Sequence, residues 1–376
     1  MTHFSPETVE ELAETIGFAA AANETVEVIG NATKRGMGRP VNAAHTLAMA
    51  KSSGVLLYEP EELVLSARAG TPLSEIENLL AANHQQLAFE PPHYGEQTIG
   101  GVIAAGLSGP RRIQAGAVRD HLLGFTAVNG RGEIFKAGGR VVKNVTGYDL
   151  SKLMAGSFGT LAVLSDVTLK VLPRAETSMT LIARGQSPRE GVALLCKALG
   201  MPFDVTGAAW VPMFDGNSAT ALRLEGFADS VGDRAKSLRE LLGVSPAEAD
   251  FDFFWEKLRD VTFLEASPAL WRVSVPPSHG PEMLEAFPRS DAFLDWGGGL
   301  VWLAAPDEED LGAARLRTVV AKIGGHATLM RATEEARQRL EVFQPQPPAL
   351  AALTARVKNS FDPLRILNPG RMYAGV

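Results

Sequence analysis

The chain holds one cysteine, Cys196, among 376 residues. A single thiol excludes an internal disulfide and any iron–sulfur cluster built from cysteines of this chain alone, and it fits a reducing compartment. Basic excess is missing too: 36 Lys and Arg stand against 43 Asp and Glu, a formal net charge of −7. Pairs such as Arg111-Arg112 are short and isolated, so no nucleic-acid footprint is visible. No apolar run reaches the ~18 residues of a spanning helix. Met1-Thr2-His3-Phe4-Ser5-Pro6-Glu7 has neither the basic nor the apolar part of a secretion signal. A cytoplasmic protein is expected, held at the inner face of the plasma membrane only through partners if at all. No two of the seven histidines stand at His-x-x-x-His spacing, so no metal site is expected.

Glycine, by contrast, is plentiful, with 37 residues where the ~7% average predicts fewer. It concentrates between Thr98 and Leu172. Thr98-Ile99-Gly100-Gly101 opens this stretch, Ala104-Ala105-Gly106-Leu107-Ser108-Gly109 follows, and Gly156-Ser157-Phe158-Gly159-Thr160-Leu161 closes it. Such a set fits backbone amides brought close to a flat or anionic ligand, or a β domain with many tight turns.

The length predicts two or three domains. Ser5-Pro6-Glu7 reads as a helix start with Ser5 as N-cap. Thr25–Ile29 reads as a strand, followed by Gly30-Asn31-Ala32-Thr33-Lys34-Arg35. That loop offers small residues and two cations to an anion, although a surface turn has the same composition. It is neither a Walker A loop nor a dinucleotide fingerprint, because no Gly-Lys-Ser/Thr ends it and Pro40 stands where a helix would open. Further strands are predicted at 55–58 and 63–70, then a helix capped by Thr71 with Ile76, Leu79 and Leu80 on one face. Asn129-Gly130 signals a hairpin between 122–128 and 133–137. Beyond Pro173 the order β-α-β-β-α occurs twice, which predicts a duplicated ferredoxin-like unit.

The loop at 30–39, the block from Thr98 to Leu161 and the ending Asn368-Pro369-Gly370-Arg371 together resemble FAD-linked oxidases. Their flavin domain is the one shared by p-cresol methylhydroxylase and vanillyl-alcohol oxidase. Within that group, Val142-Lys143-Asn144-Val145-Thr146-Gly147-Tyr148-Asp149-Leu150-Ser151-Lys152-Leu153 is similar to the E-subunit family of bacterial glycolate oxidase. The resemblance implies an α+β protein. A two-lobed flavin domain would span 1–173 (lobes about 1–95 and 96–173). A C-terminal domain at 174–376 would follow, its 361–372 tail returning to the first. It implies non-covalent FAD. Gly30, Asn31, Ala32, Thr33, Lys34 and Arg35 would meet the pyrophosphate. Pro91, Pro92, Thr98, Gly100, Gly101, Ala104, Ala105, Gly106 and Ser108 would line the diphosphate, ribityl chain and ring edge. Gly156, Gly159, Thr160 and Leu161 would meet the adenine end, and Asn368 the flavin. His93 is expected to be a loop histidine rather than a flavin tether. Tyr148 is expected to pack between the lobes, and Lys143 and Asp149 to form an ion pair, a helix cap or a cofactor contact.

The implied function is a subunit of a glycolate (2-hydroxy acid) oxidase complex, turning glycolate into glyoxylate. A homologous catalytic flavin subunit and an iron–sulfur subunit would work beside it. The chain departs from catalytic 2-hydroxy-acid dehydrogenases in its second half, which has only isolated His279 and His326 where they carry a His-rich acidic motif. Val301 stands where E subunits often have Arg. No general base emerges, and Arg272 is a candidate for the substrate carboxylate. The alternatives are a self-sufficient dehydrogenase using Arg272 or Arg111, and a flavin-free assembly scaffold.

Overall fold

The computed structural model describes residues 2–140, 147–247 and 251–376; Lys143 and the rest of Val142–Thr146 lie outside them. Two compact units emerge. The first comprises Met1–Leu107, Gly116–Arg174 and Pro345–Val376; the second comprises Ser108–Ala115 and Ala175–Gln344.

The first unit has a small lobe of three parallel strands, β1 (Thr2–Phe4), β2 (Val26–Ile29) and β3 (His45–Ala48), in the order β1-β3-β2. The helix Val9–Ala22 packs on them through Leu12, Ile16 and Ala19, the 3–4 spacing of one helical face. Its N-cap is Thr8, not Ser5: Thr8 is extended and its hydroxyl accepts the Glu11 N–H at 3.2 Å. Pro6 therefore stands outside the helix.

The larger lobe introduces β4 (Val55–Glu59), β5 (Val64–Arg68), β6 (Gln85–Gln86), β7 (Leu122–Asn129), β8 (Ile134–Gly138), β9 (Ala162–Lys170) and β10 (Leu172–Pro173). Five of these form an antiparallel sheet ordered β4-β5-β9-β7-β8, while β6 and β10 pair separately. Helices Leu73–Ala82 and Ile99–Ala105 contribute Ile76, Leu80, Ile99, Val102 and Ile103 to its core. Thr71 does not cap the first of these, whose N-cap is Pro72. Its hydroxyl is taken by the preceding loop, donating to the Arg68 carbonyl at 2.7 Å and accepting the Gly54 N–H at 2.9 Å. The β7–β8 hairpin follows the Asn-Gly signal in a four-residue form. Asn129 Oδ1 accepts the N–H groups of Arg131 and Glu133, and Gly132 takes φ +77°.

The chain's end completes the small lobe. Leu367 forms a parallel bridge with Val26; the Val26 N–H donates to Ile366 O at 2.8 Å and the Asn368 N–H to Val26 O at 2.9 Å. Holding this segment is Lys358, from the helix Pro348–Phe361, fully buried with Asp362. Lys358 Nζ donates to Asp362 Oδ2 at 2.7 Å and to the carbonyls of Thr160 (2.6 Å) and Leu367 (2.9 Å). Asp362 in turn accepts the N–H groups of Ile366 and Leu367. Burial holds the Lys358 ammonium below its ordinary pKa, and Asp362 opposes that shift.

The second unit contains β11 (Thr177–Arg184), β12 (Val205–Phe214), β13 (Asn217–Gly226), β14 (Ser245–Pro246), β15 (Leu270–Ser274), β16 (Ala292–Asp295), β17 (Leu300–Ala304) and β18 (His326–Arg331). Their order is β14-β11-β13-β12-β16-β17-β15-β18. Each half reads 4-1-3-2 from its outer edge, the ferredoxin-like order, and the halves join through their second strands at Trp210↔Leu294. The duplication read from the sequence is thus one continuous antiparallel sheet. Among the described residues, no helix is long and apolar enough to cross a membrane.

Replacing Lys358 with Met leaves Asp362 as a buried, uncompensated charge. Such a break costs about 3–5 kcal/mol. Urea unfolding should show the loss as a lower midpoint at unchanged slope; an unshifted midpoint would show that the pair contributes nothing.

Candidate functional site

The first unit holds a cleft between its two lobes, and its first wall is the loop after β2. Gly30 is required there by close approach: a Cβ would lie 2.2 Å from Thr98 Oγ1. Beneath the loop, Glu27 is only 3% exposed. Its carboxylate receives Arg35, with Nε to Oε1 at 2.8 Å, and lies 3.9 Å from Arg371. Arg371 also donates to Lys34 O at 2.9 Å, and its own carbonyl accepts the Arg39 N–H at 2.8 Å. One buried carboxylate and two guanidiniums therefore fix the loop from below. Lys34 Nζ donates to Gln97 Oε1 and lies 5.7 Å from the centre of the Tyr94 ring. Burial pulls the Lys34 ammonium from 10.5 to about 8.

The opposite wall comes from Thr98 and the helix Ile99–Ala105. Gly100 packs on the end of β5; its N–H donates to Ala69 O at 2.8 Å, and a Cβ would come 2.9 Å from that oxygen. The floor is the turn Phe158-Gly159 with Asn368. Asn368 accepts the Val28 N–H at 2.8 Å and donates to Phe158 O at 2.7 Å, which clamps the tail to both lobes. Gly159 has φ +67°, and a Cβ on it would meet Asn368 Nδ2 at 2.8 Å.

Two adjoining recesses make up the cleft and share Val28, Ile29, Gly30, Thr98, Gly101, Ala104, Phe158 and Asn368. Asn31, Ala32, Thr33, Lys34, Arg35 and Ala105 line the first; Gly100 and Gly159 line the second. The remaining residues named from the sequence have other places. Pro91 and Pro92 are buried, and the Pro92 carbonyl accepts from Gln97 at 2.7 Å. Gly106 packs against Gly156, where a Cβ would approach the Gly156 Cα to 2.8 Å. Thr160 donates to Ser157 O at 2.7 Å and gives its carbonyl to Lys358, while Leu161 belongs to the large core. Ser108 is buried in the second unit.

Sequence reasoning missed Glu27, Phe158 and Arg371. Glu27 carried a readable signal, a lone charge inside the β-branched run of β2. Phe158 had none, because only the fold reveals its φ of +53°.

Tyr148 is 93% exposed rather than packed. The short helix Leu150–Met154 turns Ser151 and Met154 inward and leaves the residue before its cap in solvent. Asp149 is that cap and pairs with Lys152 at 3.1 Å. His93 lies 3.1 Å from Glu77. In the second unit, Arg111 grips Glu225 with both arms of its guanidinium, at 2.8 and 3.0 Å, which corrects its reading as a carboxylate holder for substrate. Burial pushes the Glu225 carboxyl up, but the Arg111 hydrogen bond and the Arg223 charge outweigh it and leave the pKa below its usual value. Arg272 lies on β15 with its guanidinium 5.1 Å from the centre of the Trp296 ring.

Comparison with known proteins gives this geometry its context. Residues 3–138 match the FAD binding domain family. The chain is 38% identical to the glycolate oxidase subunit GlcE of Escherichia coli over 368 residues, covering 97% of each. It is 31% identical over 147 residues to the glycolate oxidase subunit GlcD of Bacillus subtilis, covering 38% of this chain and 31% of that one. Among solved structures, an alkyldihydroxyacetonephosphate synthase superposes with a TM-score of 0.69 over 98% of this chain and 75% of its own, at 16% identity. That likeness shows the fold alone, an α+β fold of the p-cresol methylhydroxylase type. With similarity running almost end to end, and a glycine-walled cleft inside the matched FAD binding domain, the chain belongs to the GlcE family of FAD-linked oxidoreductase subunits.

Proposed function

We propose that this chain is the FAD-binding subunit of a glycolate (2-hydroxy acid) oxidase, which turns glycolate into glyoxylate together with a homologous catalytic flavin subunit and an iron–sulfur subunit. The observation that carries this reading is the 38% identity over 97% of both chains. Chemistry supports the iron–sulfur partner: Cys196 alone cannot ligate a cluster, so a cluster that takes the electrons would belong to another polypeptide. Association with the inner face of the membrane would likewise be supplied by partners.

In this reading the cleft of the first unit holds the cofactor without a covalent link. Gly30 to Arg35 would hold the diphosphate, with Lys34 and Arg35 supplying positive charge and Glu27 and Arg371 supporting the loop from beneath. Thr98, Gly100, Gly101, Ala104 and Ala105 follow the ribityl chain and the ring edge, where a larger side chain would intrude. Gly159 and Asn368 close the floor. Pro91, Pro92, Gly106, Gly156, Thr160, Leu161 and Ser108 shape the walls from behind. Bound FAD supplies the acceptor for the hydride leaving the substrate carbon. The first unit, with its returning tail, is the flavin domain.

Two measurements test the reading. The purified chain should show a flavin absorption band that persists when glycolate is added and bleaches once the homologous flavin subunit is present. Bleaching of the isolated chain at the rate of the complex would make it a self-sufficient dehydrogenase. A chain that stays colourless after incubation with FAD would be a scaffold.

The second concerns Lys34. With a pKa of about 8 it is mostly charged at pH 7 and about one-tenth charged at pH 9. A diphosphate favours the charged form, so affinity falls as pH rises: the FAD dissociation constant should increase about tenfold over that interval. Fluorescence titration reads this directly, and Lys34→Met should abolish the slope. An equal slope in the variant would remove Lys34 from the diphosphate site.

A further inference from the structure

In the first unit, the loop after β2 rests against residues 92–98 of the larger lobe. Asn31 Nδ2 donates to the Glu96 carbonyl at 2.7 Å, Gly30 lies too close to Thr98 to carry a Cβ, and Lys34 Nζ donates to Gln97 Oε1. The last of these contacts is made by a cation that lines the cleft. Its acceptor, Gln97, does not line the cleft and is only 2% exposed.

Gln97 is held on every side. Its N–H donates to Gly95 O at 2.9 Å, and its carbonyl accepts the N–H of Leu73, the first residue of the helix Leu73–Ala82, at 2.9 Å. The next residue, Thr98, caps the cleft helix Ile99–Ala105. The side chain is fixed as firmly, because Nε2 donates to the Pro92 carbonyl at 2.7 Å. With the nitrogen committed there, the amide oxygen must face Lys34: a flipped amide would set its NH2 against the ammonium and its oxygen against a carbonyl oxygen. One neutral acceptor thus engages one of the three ammonium protons and leaves two for a ligand.

Neutrality matters as much as direction. The ionisable groups on the elements around Lys34 are Arg35 on the loop, Glu27 on β2, Arg371 on the tail, and Tyr94 and Glu96 on the facing segment. Glu27 is taken by Arg35 and lies 3.9 Å from Arg371, the Tyr94 ring lies 5.7 Å from the ammonium, and Glu96 is exposed. A carboxylate at position 97 would cancel the Lys34 charge, whereas an amide orients it and leaves it intact. The lowering of the Lys34 pKa to about 8 has burial as its cause, as expected of an ammonium whose acceptor carries no charge.

We propose that Gln97 is a positioning residue for the cofactor, which aims the Lys34 ammonium into the cleft and keeps its charge available to the FAD diphosphate. The identity of the ligand rests on the proposed function above; the coupling of Gln97 to Lys34 rests on the geometry of the loop and the segment facing it.

The test is a double-substitution cycle on the full chain, read by FAD fluorescence titration at pH 7. Gln97→Met should raise the FAD dissociation constant about tenfold when Lys34 is present, the scale of a hydrogen bond to a charged group. In the Lys34→Met background, where no ammonium is left to aim, the same change should raise it by no more than about twofold. A residue that merely supported the fold would weaken both backgrounds alike, so equal factors would overturn the proposal. Gln97→Glu keeps the side-chain shape should the methionine variant fail to fold. Its carboxylate raises the Lys34 pKa, so FAD should bind more weakly than to wild type at pH 7 and with a dissociation constant that stays level up to pH 9. A rise with pH equal to that of the wild type would overturn the proposal too. A wild-type chain that takes up no FAD would overturn the proposed function itself, and this inference with it.

Discussion

A buried ion pair near the C-terminus carries the organisation of the first unit. Lys358 and Asp362 are both fully buried, a costly state unless every donor and acceptor is used. Here they are used in full measure. The ammonium reaches two backbone carbonyls besides its partner, and the carboxylate takes two backbone N–H groups. Those groups belong to segments roughly two hundred residues apart in sequence, so one pair ties the turn after Ser157 to the last stretch of chain. The strand-like run Ile366–Asn368 can then complete β2, and Asn368 can reach both lobes.

From that anchoring the cleft follows. Its walls are backbone and small side chains, because Gly30 and Gly100 leave no room for more against Thr98 and Ala69. Its charge is arranged in two layers, with Lys34, Arg35 and Arg371 in the wall and Glu27 buried behind them. A buried carboxylate under two guanidiniums leaves a net positive, rigid support, which suits a phosphate ligand better than mobile surface lysines would. Lys34 bears the desolvation cost of this arrangement in its lowered pKa.

The second unit solves a different problem. Duplication of a βαββαβ motif, joined through its second strands, yields a wide sheet with helices such as Pro188–Leu199 and Ala313–Ile323 on one face. The other face is left for Trp302, Arg272 and, near the join, the segment Ser108–Ala115 inserted from the first unit's chain. Arg111 fastens that segment to Glu225, and Arg112 is thereby brought to Trp296. A single dipeptide thus divides its labour, one arginine for anchoring and one for stacking on the indole.

By itself the sequence determined whatever depends on local pattern. Apolar spacing located the longer helices, β-branched runs located most strands, and the repeated β-α-β-β-α order announced the duplicated sheet. Glycine-rich blocks marked the loop at 30–35 and the segment at 98–105 that line the cleft. Local pattern also misled. Ser5 was read as the cap that Thr8 supplies, and Thr160 and Leu161 shared the glycine-rich block yet serve the Lys358 anchor and the core. The tertiary structure alone decided every pairing between distant residues: Glu27 with Arg371, Lys358 with Thr160, Arg111 with Glu225, and Arg112 and Arg272 on one indole. A charge announces that it needs a partner, but not which one, since the partner is chosen by the path of the backbone. That is why the cleft was legible and the two arginines against Trp296 were not.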